Sequence, residues 1–524
     1  MSASPKSDAP ATGSSAGAPR PLSPESPRGA RAHGAIPTTR QAPLRLGVIC
    51  RTLGVLCILF CATLLPPIGV SLLYADGESG RFAAAGSIAL LAGLLFWLPF
   101  RRKHINVRSR DGFLIVGVMW TAMSALGAVP FMLSLGVSFA DAFFESAAGY
   151  TTTAASVLVG LDRLPPSILF YRQEIQWLGG LGVIVLAIAL LPMLGIGGMQ
   201  LYKAETPGPF KDERLTPRIT RTARNVCGLY VLLTALCALA FWLAGMQAFD
   251  AIAHSFSTLS TGGYSTHDAN LAYFDSPAIE TVAVVFMLIG GISFNAHFVA
   301  WRTFQLHRYG QDTQTRAFVI TVLCATAAAT FVLASTRTYD TVIESLRYGL
   351  FEVASVLTTT GYSIADFSVW PLALPALMIF LSFVGGCAGS TSGGLKIVRF
   401  LVLGKQASVH IHKLIHPQAV RRIKLDGQVV PDSVVESVGG FLVLYVAVFA
   451  TFMIIAMMDG MDQSTAFGAV ATTINNTGLG LGIDSATFAT LGAHGKIVFV
   501  FAMLIGRLDI FTFLVLLTPA FWRR

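Results

Sequence analysis

Residues 357–363 read Leu357-Thr358-Thr359-Thr360-Gly361-Tyr362-Ser363, a run of hydroxyl and small residues directly after the short, moderately apolar stretch 341–357. The figure occurs three more times. Stretch 140–156 ends Gly149-Tyr150-Thr151-Thr152-Thr153-Ala154-Ala155-Ser156, 249–265 ends Leu259-Ser260-Thr261-Gly262-Gly263-Tyr264-Ser265, and 462–480 ends Ile474-Asn475-Asn476-Thr477-Gly478-Leu479-Gly480. Aligned on the last Thr, they put Thr153-Ala154, Thr261-Gly262, Thr360-Gly361 and Thr477-Gly478 in one register, at a spacing of roughly one hundred residues, the mark of an internal structural repeat.

Outward from these runs the chain is a membrane protein. Of its 524 residues 54% are hydrophobic and 12% charged, at a mean hydropathy of +0.65; soluble domains carry about 25% charged residues. Apolar runs lie at about 46–74, 82–100, 112–137, 167–195, 226–246, 277–304, 315–336, 371–403, 434–458 and 493–519, most of them longer than the roughly 18 residues a bilayer requires. They lack the alternating pattern of outer-membrane barrels. A soluble enzyme, a nucleic-acid binder and a disulfide-stapled secreted domain are excluded together. The seven cysteines all fall in or beside apolar runs, which reads as packing rather than pairing or metal binding.

The expected fold is an all-α integral membrane protein: four pseudo-symmetric helix, re-entrant pore loop, helix repeats around one pore, preceded by two extra transmembrane helices. The expected divisions are a disordered cytoplasmic tail at 1–42, rich in Ser, Pro, Ala and Gly, two additional helices at 43–105, and repeats at 106–200, 201–305, 306–410 and 411–524. With the tail inside, 30 of the 37 Lys and Arg fall on inner loops or the termini, so charge determines the orientation and both termini are expected in the cytoplasm. Asp76, Glu78, Asp141, Glu145, Asp162, Asp250, Asp268, Asp340, Glu344, Asp366 and Asp484 then gather toward the outer side, a field that attracts cations.

Irregular backbone at membrane depth cannot face lipid, because an unpaired peptide group there costs several kcal/mol; it must line water. Four such stretches around an axis bring rings of peptide oxygens together, and such rings replace the hydration shell of a monovalent cation. The candidate selectivity filter is Thr152, Thr153, Ala154, Ser260, Thr261, Gly262, Thr359, Thr360, Gly361, Asn476, Thr477 and Gly478, with Gly supplying positive φ at no Cβ penalty and Thr hydroxyls adding oxygens at the inner end. The competing reading of small-residue runs is helix contact faces. The sequon Asn475-Asn476-Thr477 lies inside the fourth run and reads as chance.

Two interruptions mark a candidate gate. Gly385, Gly386, Cys387, Ala388, Gly389, Ser390, Thr391, Ser392, Gly393 and Gly394 separate the apolar halves of the eighth segment, and no unbroken helix survives five glycines in that span; the alternative is a kinked, packed helix. Arg507 lies mid-span in the tenth segment and either faces the pore or pairs and snorkels; Asp509, two residues on, stands on another helix face. His410, His412 and His416 sit in a basic inner loop without a carboxylate or Cys cluster, a poor metal site and a better contact for anionic lipid or a partner. Lys211, Arg214, Arg218, Arg421, Arg422 and Lys424 are further contact candidates, or ordinary topology-setting charges. No Walker A, nucleophile elbow or HExxH pattern occurs. Competing functions are a coupled secondary transporter, which would show two inverted repeats, and a membrane enzyme, for which no motif joins His254, His267 or Glu145.

The four filter runs, the stretch Gln176-Trp177-Leu178-Gly179-Gly180-Leu181-Gly182, the inner run from Glu205-Thr206-Pro207-Gly208-Pro209 to Leu215-Thr216-Pro217-Arg218, the 385–394 loop continuing to Lys396, and Gly506-Arg507-Leu508 together resemble the Trk/Ktr/HKT superfamily of potassium transporters, TrkH/TrkG type. The resemblance covers the chain from about residue 46 onward. It implies potassium uptake across the inner membrane of a prokaryote, a homodimer with one pore per subunit, and a TrkA-like nucleotide-binding subunit docked on the inner loops. It implies no covalently bound cofactor and no nucleic acid, with K+ as the transported ion. It matches Gly262, Gly361 and Gly478 to filter glycines, loop 385–394 to a gate, and Arg507 to a pore arginine. Ala154 departs from the family's glycine, which implies wider sodium access.

Overall fold

The computed structural model describes residues 46–101, 109–186, 215–478 and 485–522; the tail at 1–42, Glu205 to Pro209, Lys211 and Arg214 lie outside them. The architecture is helical, and a two-stranded ribbon pairing Lys424–Leu425 with Gln428–Val429 is the strand structure among the described residues. The chain opens with two helical rods. The first, Leu46–Thr63, continues as Leu65–Tyr74 past Pro66 and Pro67; the second is Ser79–Trp97.

Then one figure occurs four times: a long helix, a short hairpin helix, an extended run, and a returning helix. The long helices are Ser109–Leu135, Leu215–Leu243, Thr313–Ser335 and Asp432–Met458. The hairpin helices are Phe139–Tyr150, Ala248–Leu259, Val342–Leu357 and Gln463–Ile474. The returning helices are Pro166–Val185, Pro277–Gly291, Leu374–Val384 and Ala493–Leu508.

Six described helices are long and apolar enough to cross a membrane, and eight if two bent pairs each make one span. The remaining two expected segments fail that test for physical reasons. Pro166–Val185 carries Arg172, Gln173, Glu174 and Gln176, and the eighth segment is split by a loop between Leu374–Val384 and Ile397–Ile415. The bends are sharp: 97° between Pro277–Gly291 and Phe294–Thr303, and 118° between Ala493–Leu508 and Ile510–Leu517. The second places Arg507 at the end of a helix rather than mid-span, just before Asp509 at φ 70°.

Only 17% of the most apolar window in Asp432–Met458 is buried, and 39% in Gly112–Leu135. Leu72, Leu91, Leu95, Leu243, Phe331 and Phe380 stand exposed on such helices, as expected where lipid replaces water as solvent. The buried centre is polar instead: hairpin-helix ends and extended runs bring Thr151, Thr153, Ser260, Thr261, Thr358, Thr360, Asn475 and Thr477 to zero exposure.

Three hairpin helices begin with side-chain caps. Ser138 accepts from the Asp141 amide, Asp462 from Ser464 and Thr465, and Thr341 forms a reciprocal capping box with Glu344, each cap contributing about 1 kcal/mol. All four helices point their C-termini, the negative ends of their dipoles, at the polar centre.

Candidate functional site: four converging hairpin loops

Each hairpin helix ends the same way. The residues at Thr151, Ser260, Thr358 and Asn475 cap the helix by donating to carbonyls four residues back. The next residues, Thr152, Thr261, Thr359 and Asn476, turn left-handed at φ 53°, 51°, 55° and 54° and donate three residues back. Thr153, Gly262, Thr360 and Thr477 then donate five residues back, at 2.7, 2.8, 2.8 and 2.9 Å. These two bonds define a Schellman ending. Three β-branched Thr at positive φ is a strained arrangement that persists only where surrounding structure imposes it, and such strain clusters at functional sites.

This pattern corrects the register read from the sequence. In the second run Gly262, not Thr261, stands opposite Thr153, Thr360 and Thr477, and Gly263 stands opposite Ala154, Gly361 and Gly478. Gly263, Gly361 and Gly478 take φ 76°, 81° and 82°, whereas Gly262 and Ala154 do not enter that region. A Cβ at position 154 therefore meets no left-handed penalty. The first loop avoids it by a different turn, in which the Ala155 amide donates back to the Thr153 carbonyl. Gly263 was missed, although Gly-Tyr-Ser at 263–265 and 361–363 carries the correct alignment.

The loops close a ring. The Ala154 amide donates to the Gly262 carbonyl at 3.0 Å. Gly263 packs so closely on the third loop that a Cβ would stand 2.8 Å from the Thr360 carbonyl carbon; at Gly361 it would stand 3.2 Å from that of Thr477, and at Gly478 2.6 Å from Ala154 Cα. First touches second, second third, third fourth, and fourth first. Tyrosines brace the joints: Tyr264 donates to the Glu145 and Ala155 carbonyls at 2.9 and 3.2 Å, and Tyr362 to the His254 carbonyl at 3.1 Å. Asn476 ties the fourth loop to the first through Thr153 Oγ1 at 2.8 Å. The sequon asparagine Asn475 is wholly buried and bonds Ser382 and Tyr445.

Loop 385–394 lies across the ends of these hairpins. Thr391 Oγ1 donates to the Leu259 and Gly290 carbonyls, both at 3.1 Å, and accepts from Thr261 Oγ1 at 3.2 Å. Gly393 donates to Thr359 Oγ1, Gly394 to the Asn475 carbonyl, and Gly386 to Ser392 Oγ. Ser390 Oγ donates within the loop to Cys387 O, whose amide reaches Gly291 O, and Gly389 O accepts from Phe294. The Thr359 hydroxyl is thus committed to this loop and the Thr261 hydroxyl is shared between it and the Ser260 carbonyl, whereas Thr152 Oγ1 and Asn476 Oδ1 have no partner among the described residues. Gly385, Gly389 and Gly394 take positive φ, which accounts for the broken helix.

Arg507 is 8% exposed and donates from Nη1 to the Thr391 carbonyl at 2.8 Å, while its Nε and Nη2 have no partner among the described residues. Asp509 bonds Arg399 instead, at 2.6 Å. Of the alternatives for Arg507, snorkelling and a carboxylate pair are absent among the described residues.

Sequence reading missed the supports behind the ring. Arg172, 1% exposed, donates from Nε to Glu145 at 2.8 Å, from Nη2 to Ser156 and from Nη1 to the Ser265 carbonyl, both at 3.1 Å, and its guanidinium lies 4.2 Å from the Tyr264 ring centre. A lone Arg within an apolar segment was the available signal. At the outer rim His267 contacts Asp162 at 2.6 Å and Asp250 at 3.7 Å and stacks on Tyr273 at 3.5 Å. Burial alone would lower its pKa, but hydrogen bonds to Asp250 and Asp162 outweigh it and raise it above the ordinary imidazole range. His254 bonds Ser265, which also accepts the His267 amide. So the residues that no motif joined are joined in space, as braces. The described residues hold no metal-ligating cluster, and His412 and His416 simply stand ring to ring at 5.0 Å.

A multi-pass α-helical membrane protein with four re-entrant hairpins closed around one axis is a transport fold. The family model described as a TrkH cation transport protein matches residues 78–524. The chain belongs to that family. It is 47% identical over 483 residues to the Trk system potassium uptake protein TrkH of Halomonas elongata, covering 92% of this chain and all of that one. It is 46% identical over 477 residues to the Escherichia coli protein of that name, covering 91% and 99%. The crystal structure of the potassium transporter TrkH from Vibrio parahaemolyticus superposes with a TM-score of 0.86 at 44% identity, over 92% of this chain and 100% of that one.

Proposed function

We propose that this chain is the membrane subunit of a potassium-uptake system, conducting K+ inward through a gated pore in the cytoplasmic membrane of a prokaryote. The observation that carries the reading is the closed ring of four hairpin loops with four helix C-termini aimed at it. Peptide oxygens of Thr152, Thr153, Ser260, Thr261, Thr359, Thr360, Asn476 and Thr477 replace water around the dehydrated ion, and Ala154, Gly262, Gly361 and Gly478 shape the turns beside them. The partial negative charge of the four helix ends offsets the desolvation of the cation. Repeats 106–200, 201–305, 306–410 and 411–524 each supply one quarter.

Below the ring, loop 385–394 blocks the path. Gly385, Gly386, Gly389, Gly393 and Gly394 let it bend, Ser390, Thr391 and Ser392 latch it, and Arg507 holds it while adding a positive barrier. Opening requires the latches at Leu259, Gly290, Thr359 and Asn475 to part together. We assign that work to a TrkA-like nucleotide-binding subunit on the inner loops, acting on a homodimer whose termini are cytoplasmic. The Trk system relatives are named as parts of a system, which supports a separate regulator.

One observation favours a less selective K+/Na+ pore: Ala154 turns the first loop out of the geometry shared by the other three. The test is rubidium and potassium uptake in a strain without its own uptake systems, with sodium as competitor. The expected result is saturable K+ and Rb+ uptake with weak competition by Na+. Uptake equal to that of the empty strain, with the protein present in the membrane, would overturn the reading.

A further inference from the structure

The stretch Gln176-Trp177-Leu178-Gly179-Gly180-Leu181-Gly182 lies on the returning helix Pro166–Val185, outside every filter run, and the pore described above does not use it. Gln176 is wholly buried, and both ends of its amide are committed to the second filter loop. Nε2 donates to the Gly262 carbonyl at 2.8 Å and Oε1 accepts from the Tyr264 amide at 3.0 Å. Gly262 lies flush against that amide, since a Cβ there would stand 2.5 Å from Gln176 Cδ. Its φ is not left-handed, so glycine serves close approach at this position. The helix is held in register beside it. Trp177 donates its indole N–H to Thr234 at 3.0 Å, its carbonyl accepts from Tyr230 at 3.1 Å, and its ring stacks against Tyr230 and Phe256.

Among the described residues neither the second nor the fourth quarter has this device, and in the third Ser382 Oγ accepts from the Asn475 side chain rather than donating to a loop carbonyl. Gly179, Gly290 and Gly506 each pack on the carbonyl that ends a hairpin helix, at Tyr150, Leu259 and Ile474. Three residues before them stand Gln176, Met287 and Met503, and methionine cannot donate to a carbonyl. The consequence falls on one oxygen. The Gly262 carbonyl takes donors from both Gln176 and the Ala154 amide, which together use its two lone pairs. At the same level the Thr153 carbonyl accepts only the Ala155 amide of its own loop, and the Thr360 and Thr477 carbonyls receive no donor among the described residues.

Resting on the potassium-pore reading, we propose that Gln176 is a specificity-determining positioning residue: its amide holds the Gly262 carbonyl off the ion path and keeps the second loop from closing on a smaller cation. A carbonyl released from that clamp swings freely and solvates Na+ as readily as K+. The experiment compares K+, Rb+ and Na+ fluxes in proteoliposomes for the unaltered chain, Gln176→Met, which loses both bonds, and Gln176→Glu, which still accepts from Tyr264 but no longer donates to Gly262. We expect Rb+ flux to persist and the K+ over Na+ ratio to fall three- to tenfold in both. An unchanged ratio in variants that conduct overturns the proposal, whereas an unaltered chain that passes no K+ overturns the pore reading instead. If neither variant reaches the membrane, a map of the unaltered protein in thallium decides. Density away from the Gly262 oxygen with the Gln176 amide in place supports the proposal; an ion on that oxygen with the amide turned away overturns it.

Discussion

The first and third hairpin helices carry a carboxylate at the same place, Glu145 and Glu352, and surround it in opposite ways. Glu145 meets Arg172, Ser156 and the Val157 amide, and Arg172 goes on to the Ser265 carbonyl of the second loop. Glu352 accepts from the Ile364 and Ala365 amides and Ser363 within its own quarter, and among the described residues it has no cation and its Oε2 no partner. The ion pair joins the first two quarters. The third holds the second through the partly exposed Arg347–Glu280 pair at 2.6 Å and through Tyr362, and meets the fourth through the glycine-rich loop that follows it. The loop side of the ring is the one that yields.

The strongest attempt to break that contrast removes the charge pair. Arg172→Ala leaves Glu145 buried without its cation, which costs about 3–5 kcal/mol, whereas Glu352→Gln alters hydrogen bonds worth about 1 kcal/mol. Thermal melting of the purified protein should show a much larger drop for the first; equal drops would dissolve the distinction. On the yielding side, Arg507→Ala removes the bond to Thr391 and the positive barrier, and Rb+ flux without the regulatory subunit should rise about tenfold, equivalent to about 1.4 kcal/mol. A flux that stays level would detach Arg507 from the gate.

A smaller effect sharpens the comparison within the ring. Ala154→Gly permits the left-handed turn that the other three loops adopt, and the K+ over Na+ permeability ratio should rise about threefold, under 1 kcal/mol. An unchanged ratio in flux assays would make the first loop's turn irrelevant to selectivity. The smallest effect is at the rim. The raised pKa of His267 means that its brace to Asp162 and Asp250 is complete below the ordinary imidazole pKa and is lost as pH rises through the raised value. Melting temperature should therefore decline slightly across that window, by less than about 1 kcal/mol, and His267→Asn should flatten the decline.

Much of the architecture was legible because hydrophobic length and charge asymmetry act locally. The apolar segments follow from the fact that lipid tolerates neither bare peptide groups nor unpaired charge. The four hydroxyl-rich runs announced themselves because each quarter repeats one chemical problem. The register of the second run did not. Matching Thr261 to Thr153 is the better alignment by side chain, but the hydrogen-bonded ending of the helix, not residue identity, decides which residue takes which φ. The two Gly at 262 and 263 do different jobs that composition cannot separate.

The chain's own order of residues therefore determined an all-α membrane protein built of four like units, with a glycine-rich break and one arginine among its apolar segments. Only the tertiary structure decided which loop touches which, that Arg507 holds Thr391 and leaves Asp509 to Arg399, and that Gln176 and Arg172 support a loop some ninety residues away. The physical reason is range. Burial and propensity are properties of a segment, whereas a hydrogen bond exists only when two distant segments arrive within about 3 Å of each other.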